Sequence, residues 1–271
     1  MPVSITGSNC ELNCDHCRTR ILQSMRPART PEMLFELAEE YKRRSASGML
    51  ISGGSDKNGV VPLRGFLPAI KEIKERLGLK VFVHSGLVND EIAKGLKEAD
   101  VDSVLIDIIG SDETIREVYH LKDVSIDDYE ESLRSLQKYG LSISPHIVIG
   151  LHYGKIKGEF NALRIIAKYK PSSVVFVVIT SLPDTPMENV SLPTTEEAGN
   201  IFLKARRLLP ETPIILGCER GFGRYKAELD IAALKAGFNG IAYPSEGIIE
   251  MAKGFGLKPH FSSACCAMGL R

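Results

Sequence analysis

Three cysteines within eight residues, Cys10, Cys14 and Cys17 in the segment CELNCDHC, carry the sharpest chemical signal in the chain. Their spacing, Cys-x₃-Cys-x₂-Cys, places three thiolates on one short loop. Such a set can ligate three irons of a 4Fe–4S cube and leave the fourth iron open to a ligand. Zinc is a competing reading, but structural zinc prefers four ligands in two separated pairs, and His16 is wedged between Asp15 and Cys17. Ordinary buried thiols are the other alternative. Three more cysteines follow much later: Cys218 alone, then Cys265 and Cys266 side by side. Together they can hold an auxiliary iron–sulfur cluster, with a last ligand from a non-cysteine group, substrate or water. A vicinal disulfide at 265–266, or three small buried hydrophobes, would explain them as well. Six cysteines in 271 residues are too few for a disulfide scaffold, so clusters of this kind read as metal ligands or reactive thiols in a reducing compartment.

These residues need a frame, and the apolar pattern supplies one. Strand-like runs at 3–6, 49–52, 80–84, 103–108, 143–149, 173–179, 213–216 and 240–243 alternate with amphipathic segments such as 30–44 and 63–78. Most of the runs are nearly continuous Val, Ile and Leu, as in VVFVVI at 174–179, which fits parallel strands buried on both faces. Thr30 before Pro31, Asn89 before Asp90 and Glu91, and Thr194 or Thr195 before Glu196 and Glu197 are helix starts; Gly78, Gly140 and Gly237 fall where helices should stop. Eight strand–helix units in about 250 residues predict one α/β domain, a (β/α)₈ TIM-type barrel over 1–257, with 258–271 as a tail bearing auxiliary-cluster ligands. Chemistry in such barrels sits at the C-terminal ends of the strands. Cys10 follows the first strand and Cys218 the seventh, so both face one mouth, and the tail needs only a short path to bring Cys265 and Cys266 there.

Composition narrows the classes further. Lys and Arg together number 34 and Asp and Glu 34, so no electrostatic footprint for nucleic acid or anionic lipid exists. No apolar run reaches membrane-spanning length, and MPVSITGSNC lacks a signal-peptide pattern; the expectation is a cytoplasmic protein that binds neither nucleic acid nor membrane.

A Cys-x₃-Cys-x₂-Cys motif directly after the first strand of a (β/α)₈ chain resembles the radical S-adenosylmethionine (SAM) superfamily, over essentially the whole chain. The resemblance implies that the open iron is chelated by the amino and carboxylate groups of SAM. It also implies that one electron from the cluster cleaves SAM to methionine and a 5′-deoxyadenosyl radical, which takes a hydrogen atom from an unactivated carbon. Ser52, Gly53 and Gly54, in the turn after the second strand run, are similar to the glycine-rich turn that binds the SAM amino group; Ser55 stands where the family often has Glu. A plain strand-to-loop turn is the alternative there. Asp107 is similar to the residue that hydrogen-bonds the SAM ribose, and a carboxylate in the run VLIDII is costly unless it finds a partner or solvent. In HIVIG at 146–150, Val148 and Gly150 match the segment beside adenine.

The late cysteines direct the resemblance to a branch. Biotin synthase and lipoyl synthase sacrifice an auxiliary cluster as their sulfur source. The triplet spacing and LPDTPM at 182–187 are similar to biotin synthase, while the positions 218, 265 and 266 depart from it. The segment 217–238, YPSE at 243–246 and SSACC at 262–266 resemble the shorter subunit of the two-protein lipoyl synthases found mainly in archaea. That likeness implies two 4Fe–4S clusters and SAM, with sulfur inserted at C6 or C8 of an octanoyl chain on a lipoyl-carrier protein. A second radical SAM subunit and a ferredoxin- or flavodoxin-type electron donor would be the other partners. The alternatives are a biotin synthase-like enzyme doing carbon-skeleton or methyl chemistry, and a non-catalytic iron–sulfur partner subunit. Other residues near the mouth are less telling. Arg220 can pair with a SAM carboxylate, tune a cluster or form a surface ion pair. His84, His146 and His152 read as satisfied rim or interior histidines, and Arg224, Tyr225 and Lys226 as the start of a helix.

Overall fold

The computed structural model describes residues 1–262. Its framework is an all-parallel sheet of nine strands: β1 (Pro2–Ser4), β2 (Arg26–Pro27), β3 (Gly48–Ser52), β4 (Lys80–His84), β5 (Ser103–Asp107), β6 (Ile143–Ile149), β7 (Val174–Val178), β8 (Ile214–Leu216) and β9 (Gly240–Ile241). The spatial order is β2-β1-β3-β4-β5-β6-β7-β8-β9, so from β3 onward each strand lies beside its successor. The helices are α1 (Arg20–Gln23), α2 (Pro31–Arg43), α3 (Leu67–Glu72), α4 (Asp90–Glu98), α5 (Asp112–Val118), α6 (Ile126–Lys138), α7 (Glu159–Ile166), α8 (Thr195–Leu208), α9 (Gly223–Lys235) and α10 (Ile248–Gly254). All eight sequence-predicted strands are present, in the repeating parallel β/α order of a barrel. Among the described residues no ladder joins β9 to β2. The added strand, β2, is two exposed residues beside β1, and it carries no apolar run that a sequence reading could use.

Strand side chains alternate, and the two phases build different layers. One phase, Met49 and Ile51, Val81 and Val83, Val104 and Ile106, Ile147 and Ile149, Val174, Phe176 and Val178, then Ile214 and Leu216, joins the main buried core. Helix residues such as Leu34 and Tyr41 of α2, Leu96 of α4, Leu133 of α6 and Phe202 of α8 belong to the same core. Phe176, Phe202 and Phe238 form an aromatic trio within it, with ring centroids 4.7–5.8 Å apart. The other phase lines the inner face. Phe82 and Leu105, with Leu50, form a small separate apolar cluster there. Two residues further along the same strands, this face carries Ser52, His84 and Asp107 instead, and on β6 Asp107 pairs in register with His146. The inner face therefore changes from apolar to polar at the C-terminal ends of the strands.

Local chemistry fixes where the helices start and stop. Thr30 Oγ1 accepts from Met33 N and Asn89 Oδ1 from Ile92 N, while Thr194 and Glu197 make a reciprocal capping box. Gly78, Gly140 and Gly237 take positive φ of 61°, 64° and 77° at helix ends, as the sequence predicts. The segment predicted as one helix over 63–78 is instead a 3₁₀ turn (Leu63–Phe66), α3 and a π turn (Ile73–Leu77). Pro68, in the first turn of α3, has no N–H for an i→i−4 bond, so a regular helix cannot run through from residue 63. Among the described residues no helix is long and apolar enough to cross a membrane.

Candidate metal centre at the strand mouths

Cys10, Cys14 and Cys17 lie on the loop that leaves β1, at the C-terminal end of the sheet. Glu11 N donates to Ser55 O at 2.8 Å and Asp15 N to Val118 O at 3.0 Å, so two other mouth segments hold the loop. Cys17 N and Arg18 N both donate to Cys14 O. Asn13, Arg18 and Thr19 adopt left-handed φ of 47°, 45° and 64°, which costs a non-glycine residue free energy and marks a conformation the surroundings impose. Cys14 is buried, and Cys10 and Cys17 are half-buried. Burial, with Cys17 and Cys10 as negative neighbours, pushes the Cys14 thiol far above its ordinary range, and burial raises Cys17 too. With their ionisation disfavoured by burial, these two thiols give up their protons only to a cation that takes their place. With Cys10 they are a donor set that needs cations among them, and they fit three irons of a cluster.

A carboxylate inside the motif anchors the loop. Asp15 receives hydrogen bonds from Tyr153 Oη at 2.7 Å, His120 Nε2 at 3.0 Å and Arg18 at 3.0 Å. Burial opposes its ionisation, but the bonds from Tyr153 and His120 outweigh burial and hold the carboxyl below its usual range. The sequence reading passed over Asp15, since two of its three partners, His120 and Tyr153, stand more than 100 residues away. Next to it, His16 has a buried Nδ1 with no partner among the described residues, and its ring lies 5.1 Å from that of Tyr119.

The glycine turn also meets a constraint within the chain itself. Ser52 Oγ donates to His84 O at 3.1 Å, and Gly54 N donates to Thr6 Oγ1 at 2.7 Å. A Cβ on Gly54 would sit 2.0 Å from Asn9 O and 2.5 Å from Cys10 Cβ, whereas one on Gly53 meets only Ile5 and Thr6 atoms at 3.1–3.2 Å. Glycine at 54 is thus demanded by the backbone that carries Cys10. Gly54→Ala is expected to displace that loop, costing roughly 1–3 kcal/mol of overpacking. Iron bound after reconstitution should fall well below that of Gly53→Ala, read as iron per chain beside a thermal melt. Equal iron in the two variants would refute the close-approach argument.

On the inner face, Asp107 Oδ1 lies 3.4 Å from His84 Nε2, and the His84 and His146 rings are 5.5 Å apart, edge to face. Burial works against the Asp107 carboxylate, but the neighbouring His84, then His146 and His16, bring its pKa down to about 2. His146, also buried, has its pKa lowered to about 4, by burial first and by His84 second. His84 and His146 were expected to be satisfied rim or interior residues; both have partners, and the strand register also assembles them around Asp107. A signal was available: Ser52, His84, Asp107 and His146 interrupt their apolar runs in one period-2 phase. His152 is the satisfied interior residue expected, buried with Nδ1 3.2 Å from Thr114 Oγ1. Val148 is half-buried. Gly150 takes φ 78°, a Cβ there would strike Pro193 at 2.4 Å, and its N–H donates to Glu159. Glu159, a buried carboxylate that also accepts from Lys157 N and Gly158 N, is a second organiser unseen in the sequence.

Cys218 is exposed on the loop directly after β8, at the same end of the sheet as the triplet. Arg220 corrects the expectation of a SAM-pairing, cluster-tuning or surface residue. It is 1% exposed, its Nε donates to Asp230 Oδ1 at 2.7 Å, and its other nitrogens donate to the carbonyls of Gly217, Ala242 and Tyr243. The guanidinium ties the Cys218 loop to the loop after β9. Arg224, Tyr225 and Lys226 open α9 as predicted. Cys265 and Cys266 lie outside the described residues.

A family model described as the radical SAM superfamily matches residues 4–178. A biotin synthase of Prochlorococcus marinus is 25% identical over 252 residues, covering 89% of this chain and 73% of its own length. A biotin synthase of Geobacillus kaustophilus is 30% identical over 199 residues, with 69% of this chain and 56% of its own length covered. The chain thus spans between about half and three quarters of these curated relatives. Among solved structures, a methylornithine synthase superposes with a TM-score of 0.64 at 16% identity, over 96% of this chain and 83% of the other. An FeFe-hydrogenase maturase from Carboxydothermus hydrogenoformans superposes with a TM-score of 0.67 at 18% identity, over 97% and 67%. Both superpositions show the fold.

Proposed function

The chain belongs to the radical SAM superfamily, and on that premise we propose that it is a biotin synthase-like radical SAM enzyme of cofactor biosynthesis. The observation that carries this reading is the convergence of three thiols on a tethered loop beside the polar inner ring of Ser52, Asp107 and the two histidines. Cys10, Cys14 and Cys17 hold three irons. The Gly53–Gly54 backbone receives the SAM amino group, Asp107 the ribose, and the Val148–Gly150 segment the adenine. With cluster and SAM bound, one electron delivered to them releases methionine and a 5′-deoxyadenosyl radical that takes a hydrogen atom from the substrate. The protein's part is positional: Asp15 pins the loop and Gly54 sets its depth. The apolar floor of Phe82 and Leu105 closes the inner face below.

The placement of Cys218 at the same end of the sheet favours a more specific second reading, sulfur insertion from an auxiliary 4Fe–4S cluster held by Cys218, Cys265 and Cys266. In its narrowest form the chain is one subunit of a two-protein lipoyl synthase. It would act with a second radical SAM subunit and a ferredoxin- or flavodoxin-type donor on an octanoylated lipoyl-carrier protein. Iron and sulfide counts after anaerobic reconstitution separate the two. About eight irons per chain, falling to about four in the Cys218/Cys265/Cys266 triple Ala variant, support the sulfur donor. About four in both leave carbon-skeleton or methyl chemistry. A chain that binds iron but does not cleave SAM on reduction would be a non-catalytic partner instead.

A further inference from the structure

We propose that His84, Asp107 and His146 form a second metal site, a two-histidine, one-carboxylate triad for a single divalent first-row transition ion. One ligand atom from each of the three residues lies within 4.8 Å of the others. His84 and Asp107 end β4 and β5, His146 stands at the middle of the adjacent β6 in register with Asp107, and all three belong to the phase that lines the inner face. His84 Nε2 and Asp107 Oδ1 are 3.4 Å apart, close to the ligand–ligand edge of about 3.4 Å that bonds of about 2.1 Å give around a tetrahedral ion. His146 Nδ1 lies 3.0 Å from Ser144 O. A carbonyl only accepts, so Nδ1 carries the proton and Nε2 keeps its lone pair. That orienting bond is the one metal-bound histidines ordinarily make. Below the triad, Phe82 and Leu105 supply an apolar floor, the setting that limits solvent around a metal.

The donor set selects the ion class. Two neutral imidazoles and one carboxylate suit zinc and ferrous iron and lack the sulfur that would favour a cluster. Three protein ligands leave positions on the ion for water or an anionic substrate group on the mouth side. Asp107 has two oxygens; the one turned toward His84 serves the ion, and the other remains for a hydroxyl donor such as the SAM ribose. The site goes beyond the proposed function and stands whether or not that reading holds.

Zinc is the probe. The full chain, reconstituted anaerobically with iron and sulfide, is titrated with zinc sulfate, desalted, and assayed for zinc, iron and SAM cleavage. About one retained zinc per chain is expected. X-ray absorption at the zinc edge should show nitrogen and oxygen at about 2.0–2.1 Å with scattering from two imidazoles. His146→Ala and the nearly isosteric Asp107→Asn should each cut zinc retention at least about tenfold while iron per chain stays unchanged and far-ultraviolet circular dichroism shows the chain still folded. Should His146→Ala fail to fold, Asp107→Asn decides alone. No stoichiometric zinc, zinc with sulfur neighbours at about 2.3 Å, or retention unaffected by Asp107→Asn would overturn the site. SAM cleavage in the same preparations reports separately on the proposed function.

Discussion

Cys14→Ala is expected to lower reductive cleavage of SAM by at least about three orders of magnitude, a loss of roughly 4 kcal/mol or more in barrier terms, while the chain stays folded. The two halves rest on different physics. A buried thiol that is not a ligand behaves as a small hydrophobe, and trimming it to alanine removes little packing. If Cys14 were such a residue, activity and fold would both survive its loss. As a ligand it has no substitute: the neighbouring donors on its loop are Asp15, already committed to Tyr153, His120 and Arg18, and His16, half-buried beside Tyr119. Two thiols remain, and a cube held at two corners is not retained. The measurement is release of methionine and 5′-deoxyadenosine under dithionite, with iron per chain and far-ultraviolet circular dichroism on the same samples. A folded variant that still cleaves SAM at more than a tenth of the wild-type rate would remove Cys14 from the metal centre.

The sequence carried the frame of this site better than its contents. Each apolar run from 3–6 to 240–243 became a strand because the Val, Ile and Leu of one phase are what the core between sheet and helices requires. Helix ends were legible because Thr30, Asn89, Thr194 and the three C-terminal glycines act through atoms within a few residues of themselves. The triplet was legible for the same reason, since its meaning lies in local spacing. What stayed hidden depends on distant pairs. Asp15 meets Tyr153 across 138 positions, and His84 meets Asp107 across a strand ladder. Gly54 meets the Cys10 backbone across the β1–β3 pairing. The glycine turn carries a requirement that sequence alone does not show: glycine at 54 is needed for the close approach of Asn9 and Cys10, atoms of the loop that bears the triplet. Arg220 shows the reverse case. Its position beside Cys218 suggested the chemistry, and only the tertiary structure reveals that its side chain turns away into the protein.

Arg220 therefore supports the second large prediction, one of stability. Its side chain and that of Asp230 are both fully buried, and the pair is bonded at 2.7 Å. Arg220→Ala leaves the Asp230 carboxylate buried, with Ser245 N at 2.7 Å and Lys226 Nζ at 3.5 Å as its remaining partners. It also takes the guanidinium donors from the carbonyls of Gly217 and Ala242. Breaking a buried pair by removing one partner typically costs about 3–5 kcal/mol, which for a chain of this size lowers the melting temperature by roughly 5–9 °C. The penalty belongs to the stranded charge more than to the lost attraction, so it should be reversible. Replacing both partners by apolar residues of similar volume, Arg220→Met with Asp230→Leu, should recover at least half of the loss. Lys226 Nζ lies 3.5 Å from the same carboxylate, farther than Arg220 Nε, and keeps one-fifth of its side-chain surface in solvent, so Lys226→Ala should cost less than Arg220→Ala. Urea unfolding of the four proteins checks all of this. An Arg220→Ala midpoint close to wild type would show that the pair contributes little to folding. A double variant no better than the single would show that the fixed geometry of the Cys218 and Tyr243 loops, rather than the uncompensated carboxylate, is what Arg220 maintains.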